Sequence, residues 1–508
     1  MVLQTDSQES VNRDRYFLDV IPLWVLAGIC MVFLVIKAVT TGLWIDEAMG
    51  LVGPKSIVSG DPWKTAMQVQ PQSELGVLIP QNVLRDVGPS VYKLYYRPHL
   101  TSGPVLVLPA TLVSWLAGEI HPPLLHLLVL AQVGIAAWFL RDKTAFALLL
   151  ICVTATPAVF PTQYLGEMSA VIWIFAGLVL LCEGRFFAAG VCLAFGPLAK
   201  LLGWLPLLGV LFGVFLTRPW RQSCSVGFGV LLPLVLWEVY QVFSAGGLVE
   251  YAVVKSNFVA FFAQFSGNVG GATKPFPNII QDFLRWFREG GVGAWAAALL
   301  TVGGLPRVAY KVIRRKEAGF FELAWLAYAP GWLWWVLFAQ WINLSPLLRH
   351  GGIFAGLGLL ALLNEARGFE KIQLPRLGYF LARLSLYGAS VLAIFVLGWQ
   401  SHRYIWEYKG YGPYTSWIEQ RELARWVDTY GPLPLLNCDS YLNYPRVMGD
   451  IVWPQIVLSS GKYTVVSCVS DNSARAMVVL GSAATLEIPE GFVPTERAGP
   501  FQTLWVRK

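Results

Sequence analysis

Leu43-Trp44-Ile45-Asp46-Glu47-Ala48, set just past the first long apolar run, is the stretch on which the reading of this chain turns. Two adjacent carboxylates at the edge of a hydrocarbon-length segment are costly unless they face water or a polar cavity. Ionisable groups in such places are functional candidates. Here they open a long, mostly polar loop in a very apolar chain. Of 508 residues, 56% are hydrophobic and only 14% charged, and the mean hydropathy is +0.55. Soluble domains are about a quarter charged. The composition therefore implies an α-helical polytopic membrane protein working at a membrane surface.

Working outward, the candidate spans are Val20–Ile36, Leu124–Leu140, Ala145–Phe160, Ala170–Leu181, Phe186–Leu198, Leu201–Leu216, Val226–Val242, Val292–Leu305, Phe320–Ala339, Ile353–Leu363 and Tyr379–Leu397. Basic residues fall at every second loop. Arg13 and Arg15 precede the first span; Arg141 and Lys143 follow the second, Arg185 the fourth, and Arg218 and Arg221 the sixth. Arg307, Lys311, Arg314, Arg315 and Lys316 follow the eighth, and Arg367, Lys371 and Arg376 the tenth. By the positive-inside rule the N-terminus is cytoplasmic, and about eleven crossings place the C-terminus outside. This requires the short apolar segment Gly103–Ala117 to lie along the membrane rather than cross it. Met1 to Arg15 is polar and no cleavage site follows the first run, which reads as a signal anchor.

The expected organisation is a transmembrane unit over residues 1–398 and an extracytoplasmic tail over 399–508. Within the first unit, outer loops run over 40–123 and 243–291. The tail alternates apolar runs such as Ala476-Met477-Val478-Val479-Leu480 with turn residues, which suggests a small α/β domain. Cys438 and Cys468 both fall there, and a disulfide between them is compatible with an outside location. Cys30, Cys152, Cys182 and Cys192 lie in or at the ends of apolar runs and read as packing residues. The net charge of +7 reflects loop orientation signals rather than a nucleic-acid footprint. Neither a Walker motif nor a dinucleotide fingerprint occurs, and His121 lacks partners at metal-ligand spacing.

A second acid matches the first in topology. Glu167, in Gly166-Glu167-Met168-Ser169-Ala170, falls between the third and fourth spans, on the same outer side as Asp46-Glu47. Candidate cations on that side are Lys200 after the fifth span, Arg349 and His350 after the ninth, and Arg97 with His99 in the first loop. Taken one at a time, such residues serve more often as helix caps, snorkelling chains or headgroup contacts. Together they suit sugar transfer from a lipid phosphate. An alcohol acceptor needs a carboxylate to take its proton, and the departing phosphate needs cations.

The order of these motifs resembles the GT-C fold glycosyltransferases that use polyprenyl-phosphate sugars, including the lipid A aminoarabinose transferases and protein O-mannosyltransferases. The resemblance rests on Asp46-Glu47, Thr101-Ser102-Gly103-Pro104 leading into the apolar segment, Gly166-Glu167-Met168-Ser169-Ala170, Ala199-Lys200-Leu201-Leu202-Gly203-Trp204 and, loosely, Leu347-Leu348-Arg349-His350. It covers about the first 400 residues. It implies an inverting membrane glycosyltransferase of cell-envelope biogenesis in a bacterial inner membrane. The donor would be a polyprenyl-phosphate sugar, and the acceptor a hydroxyl of a glycolipid, polysaccharide or protein. It assigns Asp46 as base or acceptor-orienting carboxylate, with Glu47 and Glu167 shaping the same catalytic site, and Lys200 and Arg349 on the donor phosphate. Relatives often carry Asp at the second acidic site, where this chain has the longer Glu167. With no Asp-x-Asp motif, a divalent metal is not expected to be essential and no other cofactor is implied. Two other classes share the composition: a transporter or flippase of lipid-linked saccharides, and a non-catalytic envelope assembly subunit. Acids gathered at one face and long outer loops favour the enzyme.

Overall fold

The computed structural model describes residues 24–43, 103–140, 164–245, 297–334 and 417–430 as continuous stretches, together with eight short strands and scattered positions that include Glu47. The described residues are predominantly helical. The long helices are α1 (Trp24–Thr40), α2 (Pro104–Ala117), α3 (Pro122–Leu140), α4 (Glu167–Cys182), α5 (Phe186–Ala199), α6 (Trp204–Thr217), α7 (Trp220–Ala245), α8 (Phe320–Trp334) and α9 (Trp417–Tyr430). Between α7 and α8, a helical stretch over 297–308 winds into a π-helical turn, Ala309–Arg314.

Most of the apolar runs read from the sequence become helices, with shifted ends. Gly103–Ala117 forms α2, with Gly103 as N-cap and Pro104 at the first helical position, where its missing N–H costs nothing. The run expected from Ala170 begins at Glu167, and that expected from Val226 begins at Trp220. Ala145–Phe160 and Tyr379–Leu397 lie outside the described residues. Among the described residues, one segment, Trp220–Phe243 of α7, is long and apolar enough to cross a membrane; the other apolar helices are shorter.

Helix α4 is the centre of the packing. Every residue of it except Trp173, Val179 and Cys182 is buried, as befits a helix that is apolar all round. It turns tightly into α5 through Glu183-Gly184-Arg185. The Arg185 N–H reaches the Leu180 carbonyl, the Gly184 N–H reaches Leu181, and Gly184 takes φ 79°, together a Schellman ending. Helix α5 then crosses α7 with backbone almost against backbone. A Cβ added to Gly190 would run into the Val226 carbonyl oxygen, and one added to Gly229 into that of Phe187. Small residues at a crossing are what allow two helices to approach so closely.

The outward faces are apolar at helical spacing. Exposed residues include Val25, Ile29, Val32 and Ile36 on α1, Leu208, Phe212 and Phe215 on α6, and Phe228, Leu231, Val235, Leu236 and Val239 on α7. Polar groups sit inside instead: Glu47, His126, Gln132, Glu167, Ser169 and Glu322 are buried.

The strands form one eight-stranded sheet in the order β2-β3-β1-β5-β4-β6-β8-β7. Strands β1 (Ala66–Val69), β2 (Leu84–Asp86) and β3 (Tyr92–Tyr95) belong to the first loop. Strands β4 (Pro434–Asn437), β5 (Thr464–Ser467), β6 (Ala476–Leu480), β7 (Phe492–Arg497) and β8 (Gln502–Arg507) belong to the tail. β1 joins the two sets by pairing parallel with β5, Gln68 opposite Thr464. Strands β1, β5, β4 and β6 form a parallel centre, and the outer strands add antiparallel. The sequence reading found strands only in the tail and treated loop and tail separately; here they share a sheet.

Replacing Gly190 by Val should force α5 from α7 and cost about 1–3 kcal/mol, read as a lower melting temperature of the purified protein. The same change at Gly184's neighbour Glu183, exposed at the turn, should move it far less.

Candidate functional site

Three of the sequence motifs meet at the carboxyl end of α5. The helix stops at Lys200, whose backbone swings to an extended conformation (φ −149°, ψ 133°). Immediately before it, the Leu198 carbonyl lies where a Cβ of Gly103 would be, and the Ala199 carbonyl where a Cβ of Gly166 would be. Gly166 also has φ 88°, a left-handed conformation that favours glycine, and it caps the amino end of α4. The glycines of two motifs are thus the spaces into which the backbone of the third fits. Gly203 repeats the device one turn later, packed on the backbone of Gly196.

This fit delivers Lys200 to Glu167. The ammonium Nζ lies 2.9 Å from Glu167 Oε1 and donates to the Leu165 carbonyl at 3.3 Å. The Glu167 side chain is 1% exposed and that of Lys200 21%. The carboxylate opens α4, where the amino end of the helix dipole favours negative charge. An ammonium has three N–H donors. With two directed at Glu167 and Leu165, the partly open Lys200 retains a third for an anion arriving from the accessible side.

Glu47 belongs to the same cluster. Its Oε1 accepts the Tyr164 backbone N–H at 2.6 Å and faces His126 Nε2 at 2.9 Å. Tyr164 precedes Glu167 by three residues, and the charge of Glu47 acts on Glu167. The other ring nitrogen of His126, Nδ1, lies 3.0 Å from the Ala38 carbonyl at the end of α1. A carbonyl only accepts, so Nδ1 carries a proton. The Tyr164 hydroxyl donates to the Leu106 carbonyl of α2 at 2.5 Å, and burial pushes its pKa well up, which keeps it a neutral donor. In this way α1, α2, α3 and α4 are tied at one level, with α5 ending beside them.

The tail reaches this cluster through α9. The Leu43 N–H donates to Gln420 Oε1 at 2.7 Å, and Gln420 Nε2 donates back to the Leu43 carbonyl at 2.8 Å. Beside it, Arg421 pairs with Glu119 at 2.8 Å and lies over the Trp417 ring, while the His121 ring packs against Trp417 at 4.9 Å. Burial lowers the pKa of His121, opposed by Glu119 and reinforced by Arg421.

The opposite end of α4 is basic. There the buried Glu322 carboxylate takes Arg307 at 2.8 Å and Lys311 at 3.3 Å, and Arg218 donates to the Ala318 carbonyl.

Of the candidate residues, the structure joins Glu47, Glu167 and Lys200. Asp46, Arg97, His99, Arg349 and His350 lie outside the described residues, as do Cys438 and Cys468. Cys30 is buried as expected, whereas Cys182 is exposed because it ends α4 at the turn. The sequence reading missed His126, Tyr164 and Gln420. His126 had a usable signal: it is a lone ionisable group inside Leu124-Leu125-His126-Leu127-Leu128. Among the described residues no cluster of three or more His, Cys, Asp or Glu side chains offers a metal site. No family model matches the chain, nor does any curated protein.

Two measurements check this account. Gly166→Ala should cost about 1–3 kcal/mol through backbone strain and contact with Ala199, read as a fall in melting temperature. His121 gives a pH signature. An ordinary histidine in the unfolded chain protonates below about pH 6.5, and the folded form resists that proton. Stability is therefore unaffected above that point and falls as the pH drops below it. His121→Gln should remove part of the difference between melting temperatures at about pH 7.5 and pH 5.5.

Proposed function

We propose that this protein is an integral membrane glycosyltransferase of the GT-C type, with about eleven transmembrane helices and an extracytoplasmic C-terminal domain. It moves a sugar from a polyprenyl-phosphate donor to a hydroxyl acceptor outside a bacterial inner membrane. The observation that carries the reading is the Glu167–Lys200 pair, built where three motifs converge beside Glu47. A buried carboxylate keeps a partly exposed ammonium in place, and that ammonium still has a donor to offer. The apolar outer faces of α1, α6 and α7 support burial in lipid. The basic cluster around Glu322, at the far end of α4, supports a cytoplasmic assignment for that end. Sixteen residues of α4 separate the two ends by about 24 Å.

In the reaction, Asp46 takes the proton of the acceptor hydroxyl as its oxygen attacks the anomeric carbon. The bond from that carbon to the phosphate oxygen breaks on the opposite face, and the configuration inverts. Polyprenyl phosphate leaves with the bonding electrons, its charge met by Lys200 and Arg349. The acceptor is a glycolipid, polysaccharide or protein hydroxyl, and the lipid chain of the donor lies along the helices.

Purified protein supplied with polyprenyl-phosphate sugars and envelope extract should release polyprenyl phosphate and form a glycosylated product. Asp46→Asn should lower transfer by about 10²–10⁴-fold while donor binding persists. Lys200→Ala should weaken the donor by about 1.5–3 kcal/mol, read as a higher donor KM, with Lys200→Arg restoring part of it. Absence of transfer with every donor tried, in protein shown to be folded, would sink the reading.

A further inference from the structure

The segment carrying Asp46 is held at both ends by side chains that no motif contains. On one side, Gln420 of α9 satisfies both backbone polar groups of Leu43, at 2.7 and 2.8 Å. On the other, Glu47 is held by His126 and by the Tyr164 N–H, at 2.9 and 2.6 Å. Leu43, Glu47 and His126 are fully buried, and Gln420 is 4% exposed. Only three residues, 44–46, separate the anchors.

We propose that His126 and Gln420 are positioning residues that present this acidic segment, one from the membrane-embedded helices and one from the tail. The mechanism follows from donor and acceptor types. Both ring nitrogens of His126 face oxygen acceptors, the Ala38 carbonyl and the Glu47 carboxylate. A lone pair against an oxygen would repel, so each contact holds a proton. His126 thereby bonds the end of α1 to the acidic segment, and Glu47 passes the connection to the segment entering α4. Among the described residues, the charged groups of this cluster are Glu47 itself, Lys37 from α1, on which the charge of Glu47 acts, and Glu167 from α4 with its partner Lys200. Gln420 acts differently, as a neutral amide that pairs with Leu43 much as a neighbouring strand would. One consequence is that the tail is a working part of the site: without α9, the amino-side anchor is lost.

The inference rests on the transferase reading only for its kinetic readout. The structural readout is hydrogen–deuterium exchange of the full-length protein, following peptides that cover 41–50 and 160–166. His126→Phe, which keeps the ring but removes both donors, should speed exchange of the Tyr164 and loop amides at least tenfold. Gln420→Ala should do the same at Leu43. Glu47→Gln is the rescue variant. Both contacts fall on Oε1, and a Gln carbonyl oxygen in that place can still accept the Tyr164 N–H and a proton carried by His126 Nε2, so protection well above that of His126→Phe is expected. In transfer assays, His126→Phe and Gln420→Ala should lower kcat at least tenfold with donor KM unchanged, because they act through the acidic segment and leave Lys200 in place. Unchanged exchange in both variants would overturn the proposal. So would a rise in donor KM with kcat retained, or loss of protection in Glu47→Gln equal to that in His126→Phe. If the wild-type protein shows no transfer, the enzyme reading fails alone and the exchange data still decide the anchors.

Discussion

A carboxylate enclosed by apolar side chains must find a counter-charge, and the need of Glu167 for Lys200 organises this structure. The two lie on different helices, so the pair forms only when the carboxyl end of α5 comes up against the amino end of α4. That approach is possible only because Gly103 and Gly166 leave room for the Leu198 and Ala199 carbonyls. The ion pair and the glycines are thus two aspects of one requirement. Removing either partner of such a pair costs more than the pair itself contributes, because a bare charge stays behind.

The same logic, with different chemistry, recurs at the other end of α4. Glu322 is also enclosed, but it is shared by the two cations Arg307 and Lys311, and Arg307 additionally lies over the Phe321 ring. Among the described residues, one end of the helical assembly therefore sets the carboxylates Glu47 and Glu167 against Lys200 and His126, and the other sets the cations Arg307 and Lys311 against Glu322. This polarity runs along the helix axes.

Much of this was legible from residue types. The acidic pair, Gly166-Glu167 and Ala199-Lys200 stood out because each breaks an apolar run, and the proximity of Glu47, Glu167 and Lys200 follows from their falling at the same ends of successive helices. The glycine fit was hidden, since a sequence does not say which backbone fills the space a glycine leaves. Gln420 was hidden for a different reason. It bonds to main-chain atoms of Leu43, and main-chain atoms carry no residue signature. The strands of the first loop were missed because each is four residues or fewer, too short for alternation to register against the surrounding polar sequence.

The pairing of β1 with β5 has a temporal side. Gln68 and Thr464 are neighbours in the sheet yet are separated by almost 400 residues of chain. At synthesis rates of about 5–20 residues per second, their partner strand emerges tens of seconds after β1. Until then the first-loop strands present an open edge, and their unmatched N–H and C=O groups invite association with any extended chain nearby. The sheet is consequently completed only once the tail strand β5 has been made, long after the helices between the two sets of strands.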